Sequence, residues 1–127
     1  NFDMLEPGDG SMDLVTWIRG PHELWFGPGG NSLGDADQTF SEVARVLKPG
    51  GRFLAVDHQA TDDAGPEVGG TLHRIGVGII KEYAEAAGLR LIRSSNMHIN
   101  PADTMTNRST DPSIRGRTSK FVLLFEK

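Results

Sequence analysis

The residues best suited to chemistry fall in three short clusters: His22-Glu23, Asp57-His58 and Leu72-His73-Arg74. An imidazole titrates near neutrality, so His22 or His58 can take a proton from a hydroxyl or amine. His58 stands at the carboxyl end of an apolar run, Phe53–Val56, where open α/β sheets place their ligand crevice. His22 sits in the connection after an earlier apolar segment, and a plain surface-loop histidine is its rival reading. His73-Arg74 can hold a substrate carboxylate or phosphate, because arginine offers a planar donor fork. The pair can equally cap the helical region that follows. Trp17, Trp25 and Phe26 can wall a pocket or simply pack as core or lid. Catalysis is thus expected at His22 and His58, and substrate binding at Trp25, His73 and Arg74.

Other chemistries are disfavoured. No two histidines have the close helical spacing of H-E-x-x-H, so no metal is expected. Gly27-Pro28-Gly29-Gly30 has neither the preceding strand, the following helix nor the lysine of a phosphate loop, and reads as a turn. Without cysteine there is no disulfide framework or thiol nucleophile. A net charge of −4 argues against a nucleic-acid backbone as partner, and the Arg108, Arg115, Arg117, Lys120 group reads as a solvated loop. No apolar run approaches the roughly 18 residues of a membrane span. A small-molecule substrate is the expected partner.

The elements that position these residues can be read in order. The 127 residues suit one domain, and hydrophobic and charged fractions of 37% and 24% are globular rather than disordered. Residues 1–11 read as a loop, Met12–Ile18 as a strand, and Arg19–Gly34 as a Gly/Pro-rich connection. Phe40, Val43, Ala44 and Leu47 recur at helical spacing, with Asp35 and Gln38 placed as a capping box. Pro49 stops that helix, and Gly50 or Gly51 can take the positive φ that ends it. Phe53–Val56 suits a strand covered on both faces. A second helix is expected over Val77–Ala87, closed by Gly88, with Ile79, Ile80, Tyr83, Ala84 and Ala87 as its buried stripe. Leu89–Arg93 and Lys120–Glu126 read as the last strands. The long Ser94–Ser119 connection is expected to be either functional or mobile. Val43, Leu47, Phe53, Leu54, Val56, Ile80, Ile92, Val122 and Leu124 form the expected core.

Helix, then LKPGGRFLAVDH, resembles the second half of a class I S-adenosylmethionine (SAM)-dependent methyltransferase. Gly10–Val15 resembles the DGSFDLV approach to the fourth strand of that superfamily, and Lys81–Ile92 its EAAG helix leading to a later strand. Asn100–Asp103 and Asp111–Gly116, ahead of Lys120–Phe125, resemble one bacterial family of predicted methyltransferases. The resemblance implies an α/β fold: the C-terminal half of a Rossmann-like methyltransferase sheet, parallel strands plus a C-terminal antiparallel hairpin.

The resemblance also implies roles. Asn1-Phe2 matches a pair whose side-chain oxygen and backbone N–H face the adenine of SAM, and Trp17 can stack on that ring. Arg19–Glu23 follows the fourth strand, where the superfamily keeps residues facing the transferred methyl. Asn1, Phe2, Trp17 and Arg19 are therefore the expected cofactor contacts. The superfamily's glycine-rich loop and ribose-binding acid cannot be placed in this sequence, so the chain reads as a truncated domain that binds SAM weakly by itself. Two functions are expected: methyl transfer to a small nucleophile as part of a fuller domain, or a non-catalytic binding or dimerisation module. Loss of the first three strands would leave Met12–Ile18 as an edge, which predicts a homodimer through that strand.

Overall fold

The computed structural model describes residues 1–127. Strand β1 (Met12–Ile18) leads through two 3-10 turns to helix α1 (Ala36–Val46), strand β2 (Leu47–His58) and a short helix α2 (Val68–Leu72). Helix α3 (Val77–Ala86) and strands β3 (Arg90–Ser95) and β4 (Lys120–Glu126) complete the chain. The sheet order is β1-β2-β4-β3, with β1 parallel to β2 and β4 antiparallel to both its neighbours. The parallel pair and the antiparallel hairpin follow the expected architecture, and β1 is an edge strand.

Helix α1 starts where Asp35 accepts from the Gln38 N–H at 2.9 Å. The reciprocal half of the capping box is replaced, because the Asp35 N–H donates to Asp3 at 3.0 Å. The Pro-Gly-Gly stretch does not end the helix. Leu47 is already extended, and Gly50, at φ 78°, forms a bulge inside β2. Pairing therefore jumps from Met12↔Leu47 to Leu14↔Arg52. Helix α3 ends at Ala86, with Gly88 at φ 90° beyond its Ala87 cap, where an L side chain would be strained.

The core forms on one side of the sheet. Phe40, Val43, Ala44 and Leu47 meet Ile80 and Ala84 over Phe53, Ala55, Leu123 and Phe125. The expectation of a strand buried on both faces is corrected: Leu54, Val56, Ile92, Val122 and Leu124 are only half-buried. Side chains alternate across a strand, and no helix of this chain covers the second face. The Ser94–Ser119 connection is pinned. The Arg74 guanidinium donates to both Asp103 oxygens at 2.9 and 3.0 Å, and the Ser119 N–H donates to Asp103 at 2.7 Å. The N-terminal segment is held likewise, by Arg45 donating to the carbonyls of Leu5 and Pro7.

Candidate active site

Because β1 and β2 are parallel and Ile18 lies level with Val56, the residues that follow each strand emerge side by side. The Arg19 N–H donates to the Val56 carbonyl at 2.7 Å, and Arg19 takes φ 55°, a left-handed conformation costly for a non-glycine residue. Gly20 must lack a side chain, since a Cβ there would collide with the Trp17 indole. Pro21 then opens a 3-10 turn, Pro21–Trp25, that buries His22 against the end of β2.

Asp57 is fully buried, and a carboxylate so placed requires donors. It has them: the His22 N–H at 2.8 Å, the His58 N–H at 2.7 Å, and His22 Nδ1 at 2.9 and 3.0 Å from its two oxygens. A carboxylate can only accept, so Nδ1 carries the proton and Nε2 keeps a lone pair. That is the tautomer a general base needs, and Asp57 would stabilise the imidazolium formed when Nε2 takes a proton.

The other histidines gather around this dyad. The His58 ring lies 6.1 Å from that of His22, and its Nδ1 meets Thr118 Oγ1 at 2.6 Å. Burial lowers the His58 pKa to about 4, against a counteracting pull from Asp57 and with help from Lys120. His73 sits edge-on to His22 at 5.4 Å and against Phe26 at 4.5 Å. Its pKa is lowered by burial and by the neighbouring His22 and Arg108. His73 caps α2 in the left-handed region at φ 51°. Together Arg19, His22, His58, His73, Ser109 and Thr110 line an open cleft of about 310 Å³, with Ile18 its one apolar wall. A larger hollow of about 420 Å³, lined by Lys81, Asp62, Met105 and residues of β3 and β4, lacks any histidine.

Several expected site residues lie elsewhere. Arg74 is not available to a substrate: it is wholly buried, and its donors are occupied by Asp103 and the carbonyls of Gln59 and Asn107. Trp25 packs on Tyr83 at 5.8 Å and against the core, outside the cleft lining. The Phe2 N–H, expected to face adenine, donates to the Leu33 carbonyl at 2.8 Å, and Asn1 is exposed. Phe2 and Trp17, 4.9 Å apart, instead wall a separate apolar hollow of about 210 Å³ with Leu5, Val15 and Val43. The sequence reading singled out Asp57 without its role as the partner of His22, and it missed Ser109, Thr110 and Thr118. No group of three or more His, Asp or Glu side chains is arranged to hold a metal.

No family model and no curated protein matches the sequence. Solved structures do match the fold. A SAM-dependent methyltransferase from Aquifex aeolicus aligns with 99% of this chain and 51% of its own, at 15% identity and TM-score 0.60. One from Mesorhizobium loti aligns with all of this chain and 67% of its own, at 16% identity and TM-score 0.63. The chain has a partial class I SAM-dependent methyltransferase fold. The [4+2]-cyclase SpnF aligns as well, at 15% identity and TM-score 0.64 over 53% of its length, so the fold alone does not fix the reaction. The chain spans about half to two thirds of these proteins. The Phe2 N–H, occupied by the Leu33 carbonyl, is not free for the adenine contact that the resemblance implies.

Proposed function

We propose that the chain is part of a SAM-dependent methyltransferase acting on a small-molecule nucleophile, with His22 as general base oriented by Asp57. The observation that carries the reading is the buried His22–Asp57 dyad at the carboxyl ends of the parallel strands β1 and β2. SAM, when bound, supplies an electrophilic methyl group on a sulfonium. Phe2 and Trp17 would hold its adenine, and Arg19, at the cleft, would face its reactive end. His22 Nε2 would accept the proton of an acceptor hydroxyl or amine, so that the acceptor's own lone pair can take the methyl group as its bond to sulfur breaks. Positioning dominates such chemistry, which is why no strong catalytic motif is needed.

The experiment is a methyl-transfer assay on a panel of hydroxyl and amine acceptors, reading the demethylated cofactor. His22→Gln should lower turnover by about 10²-fold, the usual worth of a general base. An equally active His22→Gln variant would remove the dyad from the mechanism. The chain alone is expected to bind SAM weakly by calorimetry.

A second reading is a non-catalytic module in which two copies pair through β1. It is favoured by the edge position of β1 and by Leu14 and Ile18, which are 55% and 58% exposed. Sedimentation at micromolar concentration tests it, and a clean monomer would discard the homodimer.

A further inference from the structure

We infer that the cleft at His22 selects a ligand bearing an oxyanion, a carboxylate or a phosphate, held by Arg19, His73 and the hydroxyls of Ser109 and Thr110. The methyl-transfer reading is needed only for what happens to that ligand, not for its binding.

The lining carries the argument. Apart from Ile18, and from His22, whose N–H groups are spent on Asp57, the residues facing the cleft carry N–H or O–H groups, and none is acidic. Asp57, the carboxylate nearest by, is fully buried with both oxygens accepting from His22 and His58, so it presents nothing to a ligand. Glu23 is the other acid felt at His73, and it is countered there by Arg108. The chain as a whole is acidic, at −4, yet positive charge collects at this end of the sheet.

That charge is unpaired. Arg45, Arg52, Arg74 and Arg90 each lie within 4 Å of a carboxylate, whereas Arg19, Arg108 and Lys120 have none, as is true also of Arg93, Arg115 and Arg117 away from the cleft lining. Arg19 and Lys120 are close enough that, beyond the effect of burial, Arg19 further depresses the Lys120 ammonium. Like charges held together without a counter-ion are a standing repulsion, which an anion would relieve. Ser109 is nearly buried, its N–H fixed on the Leu72 carbonyl, and its hydroxyl has no partner in the protein. A hydroxyl so placed is free to donate to a ligand.

The backbone adds an independent observation. Only three non-glycine residues of the chain have positive φ, and two of them, Arg19 and His73, line this cleft. His73 takes its conformation as the cap of α2, whereas Arg19 caps no helix and is held there by its N–H bond to Val56. Arg19→Gly would relieve the strain and remove the guanidinium at once. Stability and binding should therefore move in opposite directions.

The test is titration of the chain with inorganic phosphate and, separately, with succinate, following the His73 and His58 ring resonances by NMR. Saturable shifts are expected. Affinity should fall about tenfold in Arg19→Gly, the value of one charge-assisted contact, and by less in Arg108→Ala, whose charge acts on the cleft through space. Arg19→Gly should also melt higher than the parent chain. Arg90→Ala, which removes a surface arginine at the far end of β3, should leave affinity unchanged. Tighter phosphate than succinate binding would name the phosphate, and the reverse the carboxylate. Absence of saturation, or an equal loss in Arg90→Ala, would overturn the inference. Anion binding without methylation of any oxyanion-bearing acceptor would instead overturn the catalytic reading and leave this one standing. Methylation confined to neutral acceptors, uncompeted by phosphate, would do the opposite.

Discussion

On one face of the sheet, Phe53, Ala55, Phe121, Leu123 and Phe125 are at most 3% exposed beneath α1 and α3. On the other, Leu14 and Ile18 are more than half exposed, and Leu54, Val56, Val122 and Leu124 lie half-open beside them. The two faces are nearly equal in apolar content and unequal in cover. A sheet with one wet face normally alternates apolar and polar residues, whereas continuous apolar runs suit a sheet sandwiched between layers. These strands are written for two layers, and this chain supplies one. The bare face is an apolar surface of the kind that marks an interaction site. The cleft straddles the divide, since Asp57 belongs to the covered face and His58 to the open one.

The largest effect tests the covered face against the open one directly. Phe53→Ala should cost about 3–5 kcal/mol in urea unfolding, through lost transfer energy and a cavity. Leu54→Ala, one residue away on the open face, should cost less than about 2 kcal/mol. Equal costs would mean that something covers Leu54 in solution. Next, Asp57→Asn should lower methyl transfer by about 10²-fold by upsetting the His22 tautomer, and His58→Gln by less than about tenfold. A reversed order would move the base to the open face.

The pH dependence sharpens the same contrast. Burial pulls the His58 pKa from 6.5 down to about 4, so between these values the unfolded chain binds the proton more readily. Its stabilisation is complete above pH 6.5 and is lost as pH falls toward about 4. In urea titrations across that window, His58→Gln should flatten the fall, and an unchanged slope would assign the loss to other groups. The smallest effect on the fold belongs to Ile18→Lys, within about 0.5 kcal/mol for an exposed position. The same change should split the proposed homodimer, and a persisting dimer in sedimentation would place its interface elsewhere.

Much of this was legible in the sequence. Met12–Ile18 reads as a strand from its residue types, and α1 from Phe40, Val43 and Ala44 with their Asp35 cap. The parallel pairing follows from the resemblance, and it brings the residues after Ile18 and Val56 together. Asp57, a charge ending an apolar run, carries a signal for a buried partner that went unused in the sequence, and the fold supplies His22 as that partner. The rest depends on tertiary contact. Arg74 has the chemistry of an anion ligand in sequence, and only the folded chain shows Asp103, 29 residues away, closing on it. Local pattern carries no trace of such a distant contact. One-sided burial escaped for a related reason: an apolar run states what a strand can bury, and the layers present decide what it does bury.

The Arg74–Asp103 clamp also bears on the order in which the cleft assembles. It closes a loop running from the end of α2 past β3, and Asp103 also takes the Ser119 N–H, so the following segment that carries Ser109 is tied down at the same point. The closure is repaid by a few hydrogen bonds rather than by a strand ladder, so it should come late in folding, after β1 and β2 have paired. The same segment should be the first to reopen in the native state. Hydrogen exchange at the Ser109 and Ser119 amides, bonded to Leu72 and Asp103, would then run ahead of that at Phe53 and Phe125 in the sheet. In such an opening the wall of the cleft swings away while the His22–Asp57 dyad stays seated, and the site would gain and lose its ligand-holding side as a unit.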